Sequence, residues 1–413
     1  MERTVIMLSW EYPPHLVGGL ARHVHALSRE LVRQGVSVHV LTRSGPGLPA
    51  EALEDGVWVH RVTPVMGEPA DFRLWANHLN FAMLEAGIRL IQRLGSPVII
   101  HAHDWLVAQA ARGLKHLFHA PMVATIHATE HGRNRGIHDP GQQYINDVEW
   151  WLTYEAWRLI VCSESMRREV KHLFGLADDK VAVIPNGIDL PNAAPAPPRA
   201  QFAAPGERLL FQIGRMVPEK GAGVLLEAAA ALRQRHDLRL VLAGTGPYRA
   251  DLERRAQALG IADRVNFAGY VPDSVAQALF SYADVAVVPS IYEPFGIVAL
   301  EAMAAGAPLV ASDVGGLSDI VEHGVNGLKA APGDVQSLTE QIDRLLTDRN
   351  LAGRLASNAI RLVRERYSWE GVALATLDFY TNVDESCANS DWRRAAGPGR
   401  RSTPIRTRLK GRA

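Results

Sequence analysis

Cysteine is nearly absent, with Cys162 and Cys387 the two in 413 residues. So sparse a set excludes a disulfide framework and fits a reducing compartment. Net charge is absent as well, since Lys plus Arg and Asp plus Glu both stand at 44. No whole-molecule field draws the chain to nucleic acid or to an anionic membrane. Long apolar runs are also missing. No stretch approaches roughly 18 uninterrupted apolar residues, so no transmembrane span is expected. Val5–Leu8, close behind Met1, is too short an apolar run for a signal peptide. A soluble cytoplasmic protein is the expectation.

What is present is an ordinary globular composition, 47% hydrophobic and 21% charged, in a chain too long for one core. Short β-branched runs alternate with helical stretches. Strands are expected at Val5–Trp10, Val36–Thr42, Val57–Val62, Val98–His101, Met122–Ile126, Ile160–Cys162 and Val181–Ile184. Leu20–Gln34 carries a helical stripe at Val24, Leu27 and Leu31. Further helices are expected over Phe72–Leu94, Trp105–Phe118 and Val148–Trp157. Apolar strands between amphipathic helices indicate a parallel sheet covered on both faces.

The pattern breaks at the proline-rich stretch from Pro191 to Pro198, a semi-rigid linker. It then restarts, with strands at Leu209–Ile213, Leu238–Leu242, Val265–Phe267, Val285–Val288 and Leu309–Ala311. Helices follow at Gly223–Gln234, Arg249–Leu259, Ser274–Tyr282, Phe295–Ala305 and Val335–Leu346. The economical reading is α/β: two doubly wound Rossmann-like domains, 1–190 and 207–366, facing each other across a cleft, with 191–206 as linker. From Asn389 eight Arg and Lys face one acid, Asp391, among Gly and Pro. Residues 389–413 read as a disordered basic tail, solvated or in contact with an anionic glucan, nucleic acid or membrane.

The strongest chemical signal runs from Glu293 to Glu301. It starts after strand Val285–Val288 and opens a helix, so Gly296, Ile297 and Val298 offer backbone N–H groups at a positive helix end. Glu301 lies a helical turn after Ile297 and can accept hydrogen bonds from the paired hydroxyls of a ribose. Glu293, on the loop, could meet a sugar ring. The plainer reading is a helix-start dipole contact for Glu293 and a surface ion pair for Glu301.

Arg215 and Lys220 flank a turn after Leu209–Ile213 and can converge on a diphosphate, stabilising charge on a leaving group without a metal. Gly18 and Gly19 let backbone approach a ligand between the first strand and first helix. That loop is not the dinucleotide G-x-G-x-x-G fingerprint. His127 follows Met122–Ile126, where a cleft residue belongs, and His101, His103 and Asp104 end their own strand. If that strand continued, His101 and His103 would share a face and Asp104 the other, so no metal site is expected there.

Taken together, these residues resemble the retaining glycosyltransferases of the GT-B fold, in the family that includes prokaryotic glycogen synthases. The resemblance runs from Val5 to about Val383. It is carried by the Glu293–Glu301 segment and supported by Ser9–Leu20, His101–Trp105, Thr125–His127, Pro185–Asp189 and Gly244–Pro247. It implies a diphosphate clamp of Arg215 and Lys220, with Gly18 and Gly19 touching the diphosphate from the opposite domain. It implies Glu301 as ribose ligand, and Glu293 with the Gly296 and Ile297 amides as holders of the donor sugar. His127 would sit near the sugar's C6 hydroxyl, with Asp104 and Asn186 on the acceptor side. No metal or cofactor is implied, the donor being a nucleotide-sugar. A C-terminal segment, 367–388, would cross back to the first domain.

Many bacterial glycogen synthases carry lysine where this chain has Leu16. The activity implied is transfer of glucose from ADP- or UDP-glucose to the non-reducing end of an α-1,4-glucan. A small-molecule or lipid acceptor, a sugar-nucleotide epimerase on the same fold, and an inactive nucleotide-sugar binder are the alternatives.

Overall fold

The computed structural model describes residues 3–15, 18–64, 71–95, 97–190 and 197–394. Leu16 and Val17, linker residues 191–196 and tail residues 395–413 lie outside them. Two sheets organise the chain. The first joins β1 (Thr4–Leu8), β2 (Ser37–Arg43), β3 (Glu51–Glu54), β4 (Val57–Val62), β5 (Val98–His103), β6 (Met122–Ile126), β7 (Arg158–Val161) and β8 (Val181–Val183). Their order is β3-β4-β2-β1-β5-β6-β7-β8, parallel except for the β3–β4 hairpin. The second holds β9 (Arg208–Ile213), β10 (Leu238–Ala243), β11 (Val265–Gly269), β12 (Val285–Val288), β13 (Leu309–Ser312) and β14 (Leu328–Ala330). Its order, β11-β10-β9-β12-β13-β14, is parallel throughout.

Successive strand side chains point to opposite faces, and the cores divide accordingly. Val5 and Met7 join one hydrophobic cluster and Ile6 and Leu8 another. Leu209 and Phe211 face away from Leu210 in the second sheet. Every one of these seven is fully buried. Burial on both faces makes the strands continuous apolar runs, which is why their pattern is legible.

The edge strand β3 is not anticipated by that pattern. Its Glu51 and Glu54 are partly exposed, as befits a short charged edge. Helix Glu164–Phe174, capped by Ser163, is likewise unanticipated.

Strand order reverses between β1 and β5 in the first sheet and between β9 and β12 in the second. Loops leaving the carboxyl ends of strands at such a point line a ligand crevice. The four loops concerned are those beginning at Ser9, Asp104, Gly214 and Pro289.

Two boundaries differ from expectation. Residues 199–206 of the assigned linker pack on the second sheet, with Ala203 buried and Arg199 donating to the Glu207 carbonyl at 2.8 Å. The assigned tail starts late, because Asp391–Arg394 form a helical turn. Trp392 sets it, lying against the rings of His116 and His119 and under the Lys115 ammonium. Before that turn, helix Trp369–Ala388 packs on helix Gly19–Arg33 of the first domain, and Tyr380 sits 2.6 Å from His101 Nδ1. No helix among the described residues is long and apolar enough to cross a membrane.

Candidate active site

The loop after β9 is held in shape from below. Gln212 Nε2 donates to the Lys220 carbonyl at 2.9 Å, and the Lys220 ammonium then reaches Glu293 Oε2 at 2.7 Å. Ser290 Oγ donates to the same oxygen at 3.1 Å. The Glu219 carbonyl accepts from Ile291 N at 2.8 Å, tying this loop to the one after β12. Arg215 is more than half exposed and pairs with Glu219 at 3.3 Å. Both cations assigned to a diphosphate thus converge on this loop pair, and each holds a carboxylate partner.

Helix Ile297–Ala304 begins at Gly296, whose φ of 112° closes the turn, and no side chain caps it. The first amides, at Ile297 and Val298, therefore stand at a positive end that a ligand can satisfy. Helix Gly19–Arg33 opens opposite. A Cβ on Gly19 would lie 3.0 Å from Ile297 Cδ1, so glycine permits the close approach of the two helix ends. Gly18, by contrast, has open space around its Cα.

The first helix end differs from expectation. The Glu11 carboxylate, 2% exposed, accepts from Gly18 N and Ala21 N, both at 3.3 Å. Two amides assigned to or near a diphosphate are thus engaged by an acid, which satisfies the helix dipole. An acid two residues past Ser9, at the end of β1, is the signal that could have shown it.

Glu301 is engaged as well. Arg22, from the first domain, donates to Glu301 Oε1 at 2.9 Å and to Asp273 Oδ1 at 2.7 Å, bridging the cleft. Burial pushes the Glu301 carboxyl up to about 7, with Arg22 pulling it down. Nothing in the helical stripe distinguishes Arg22 from any solvent-facing residue.

Across the floor lies a histidine cluster. His127 Nε2 is 3.2 Å from His103 Nδ1, and His23 Nδ1 is 2.7 Å from Asn186 Oδ1. The His23 and His127 rings are 4.9 Å apart, edge to face. Burial holds His23 and His127 down to about 3 and His103 well below its usual range. His101 stands apart from this role. Its two nitrogens meet Tyr380 and Thr125 at 2.6 and 2.7 Å, a structural arrangement. The weighed set of His101, His103 and Asp104 is not assembled.

Asp104 is turned to the chain instead, its Oδ1 accepting from His127 N at 2.7 Å. Its backbone holds φ 60° and ψ 176°, a region that side chains avoid at a cost of about 1–3 kcal/mol. Burial pushes its carboxyl up to about 6. Glu149, 1% exposed, goes up to about 8 for the same reason, with the Glu130 amide on both its oxygens.

These shifts set a stability profile. Asp104, Glu301 and Glu149 hold protons in the folded protein that the unfolded chain has released, so stability falls as pH rises from their ordinary values to the raised ones. His23 and His127 act oppositely below about pH 6.5, where the unfolded chain alone takes up protons. Burial lowers His39, His101 and His103 as well, and this opposing slope fades only above about pH 7.5, where imidazoles of the unfolded chain are nearly all neutral. The melting temperature of the ligand-free protein should therefore fall slightly between about pH 7.5 and 8.5, with Glu149 the largest single contributor. Glu149→Gln should flatten the decline in scanning calorimetry; an unaltered slope would remove Glu149 as its source.

Comparison with known proteins fits this geometry. Residues 17–191 match the family described as Glycosyltransferase Family 4, and residues 197–362 match Glycosyl transferases group 1. The chain is 39% identical over 395 residues to the glycogen synthase of Mycobacterium tuberculosis, covering 91% of this chain and 94% of that one. It is 38% identical over 385 residues to an uncharacterized glycosyltransferase of Methanocaldococcus jannaschii, covering 91% and 97%. Among solved structures, the sucrose-phosphate synthase of Thermosynechococcus elongatus superposes with a TM-score of 0.80 at 27% identity, covering 93% of this chain and all of that one.

Proposed function

The chain belongs to the GT-B glycosyltransferases of group 1 and is a hexosyltransferase, and from that premise we propose that it moves glucose from ADP- or UDP-glucose to the non-reducing end of an α-1,4-glucan. In this reading the anomeric configuration is retained. The observation that carries it is the meeting of the Lys220–Glu293 pair with two helix N-termini across one crevice, Gly19 beside Ile297. The glycogen synthase relationship supports the choice of acceptor.

Each group has a task. The bond between the glucose anomeric carbon and the diphosphate breaks, and a bond from an acceptor hydroxyl oxygen to that carbon forms. The acceptor's proton leaves with the departing diphosphate. Negative charge grows on that diphosphate, where Lys220, Arg215 and the amides of Ile297 and Val298 stabilise it. Glu293 and the Gly296 and Ile297 amides hold the donor sugar, and His127 meets its C6 hydroxyl. Glu301 accepts from the ribose hydroxyls once Arg22 yields it. Asp104 and Asn186 line the acceptor side, and no metal is assigned to the transfer.

Radiolabelled ADP- or UDP-glucose incubated with glycogen should place label in polymer. Label that stays in small molecules would refute the glucan acceptor. Nucleotide conserved as a sugar-nucleotide, with no diphosphate released, would point to an epimerase instead. Glu301→Ala should weaken nucleotide binding by about tenfold or more, the loss of charge-assisted hydrogen bonds worth about 1.5–3 kcal/mol. Unchanged affinity by calorimetry would remove Glu301 from the ribose.

A further inference from the structure

We propose that His23, His103 and His127 form a binding site for a divalent transition-metal ion of the imidazole-preferring kind, zinc being the reference case. One nitrogen from each ring lies within 4.8 Å of the others, which brings together three elements distant in sequence. His23 comes from the first helix, His103 from the end of β5, and His127 from the residue after β6. In a tetrahedral site with metal–nitrogen bonds of about 2.0–2.1 Å, ligand nitrogens stand roughly 3.3 Å apart. His103 Nδ1 and His127 Nε2 are already at 3.2 Å. His23 needs to draw in by roughly 1.5 Å at most.

A second observation, independent of that spacing, points to a ligand. His23 Nε2 is buried and finds no hydrogen-bond partner among the described residues, and the side chain is 3% exposed. Buried polar nitrogens normally have a partner. The His23 case is specific in direction. Asn186 Oδ1 accepts from Nδ1 at 2.7 Å, so the lone pair sits on Nε2, on the side of the ring away from Asn186. A carbonyl oxygen fixing the tautomer from behind is the arrangement that metal-binding histidines use.

Three imidazoles make a borderline-soft set that suits zinc, cobalt, nickel or copper ahead of magnesium or calcium. The fourth position would take water. On binding, the proton shared by His103 Nδ1 and His127 Nε2 moves to the distal nitrogen of the ring that carried it, and all three imidazoles stay neutral. His101 is not a ligand, since Tyr380 and Thr125 occupy both its nitrogens. Nor is Asp104, committed to the His127 amide.

One consequence follows if His127 also meets the donor sugar. A bound ion would then compete with the donor and inhibit transfer. That consequence rests on the proposed function; the binding itself does not.

The test uses the untagged full chain after dialysis against a chelator. Cobalt(II) titration should produce the visible bands of tetrahedral, nitrogen-liganded cobalt, and zinc should abolish them. His23→Ala should weaken cobalt binding at least about tenfold while still melting cooperatively, and His103→Asn serves if that variant does not fold. Absent bands, or bands untouched by both substitutions, overturn the site. Bands lost in the variants alongside zinc-insensitive transfer uphold the site and refute the placement of His127 at the donor sugar.

Discussion

Lys220→Ala should lower kcat by about 10²–10³, the loss seen when one preorganised donor to a developing oxyanion is removed. The expectation rests on where the ammonium sits. It lies 2.7 Å from Glu293 Oε2 and stands on a turn that Gln212 anchors from beneath. Reaction changes the charge near it: a diphosphate ester becomes a free diphosphate, and the cation gains most when that charge is greatest. Nucleotide affinity should fall less than kcat, since the ground state carries less of that charge.

Removing Lys220 also leaves Glu293, 9% exposed, with Ser290 as its remaining hydrogen-bond donor on Oε2. Part of any loss could then come from a displaced carboxylate. The double variant Lys220→Ala with Glu293→Gln separates the two effects. If Lys220 serves only to hold Glu293, the double variant matches Glu293→Gln; if it meets the diphosphate, the double variant is slower. Arg215→Ala offers a cleaner comparison, because its pairing with Glu219 is exposed and contributes little to stability. Near-normal turnover in both Lys220→Ala and Arg215→Ala would refute the clamp.

Gly315→Ala should cost several kcal/mol of stability and most of the activity. Gly315 begins the short helix Gly315–Ile320 with φ 54°, and a Cβ there would lie 2.0 Å from the backbone oxygen of Glu293. The left-handed conformation alone costs about 1 kcal/mol for alanine, and no backbone atom can move aside without disturbing Glu293. The hydrogen bond from Gly316 N to that oxygen, at 2.8 Å, would be lost with it. Gly18→Ala is the contrast. With φ near −156° and nothing within 4 Å, it should change stability by less than about 0.5 kcal/mol. Its effect should appear as a raised KM for the donor. A melting temperature for Gly315→Ala equal to that of Gly18→Ala would show that the second domain tolerates a shifted Glu293.

Much of the fold is legible in the amino-acid order. Strands buried on both faces read as apolar runs, so Met122–Ile126 and Val285–Val288 coincide with their expected spans. β3 escapes because a four-residue charged edge has no such run, and Trp392 escapes because one aromatic among arginines carries no period. Glu293, Gly296 and Glu301 can be singled out together because they lie within nine consecutive residues at the end of one strand and the start of one helix. Arg22 is not, since its partners are 251 and 279 residues away.

The sequence by itself determined that two parallel sheets exist and which loops leave their carboxyl ends, because local period and burial govern both. Only the tertiary structure decided that Glu11 fills the first helix end, that Arg22 bridges to Glu301, and that His23 joins His103 and His127. Those contacts depend on strand order, which reverses beside β1 and beside β9. A change of strand order alters which loops meet without altering the period of any one segment.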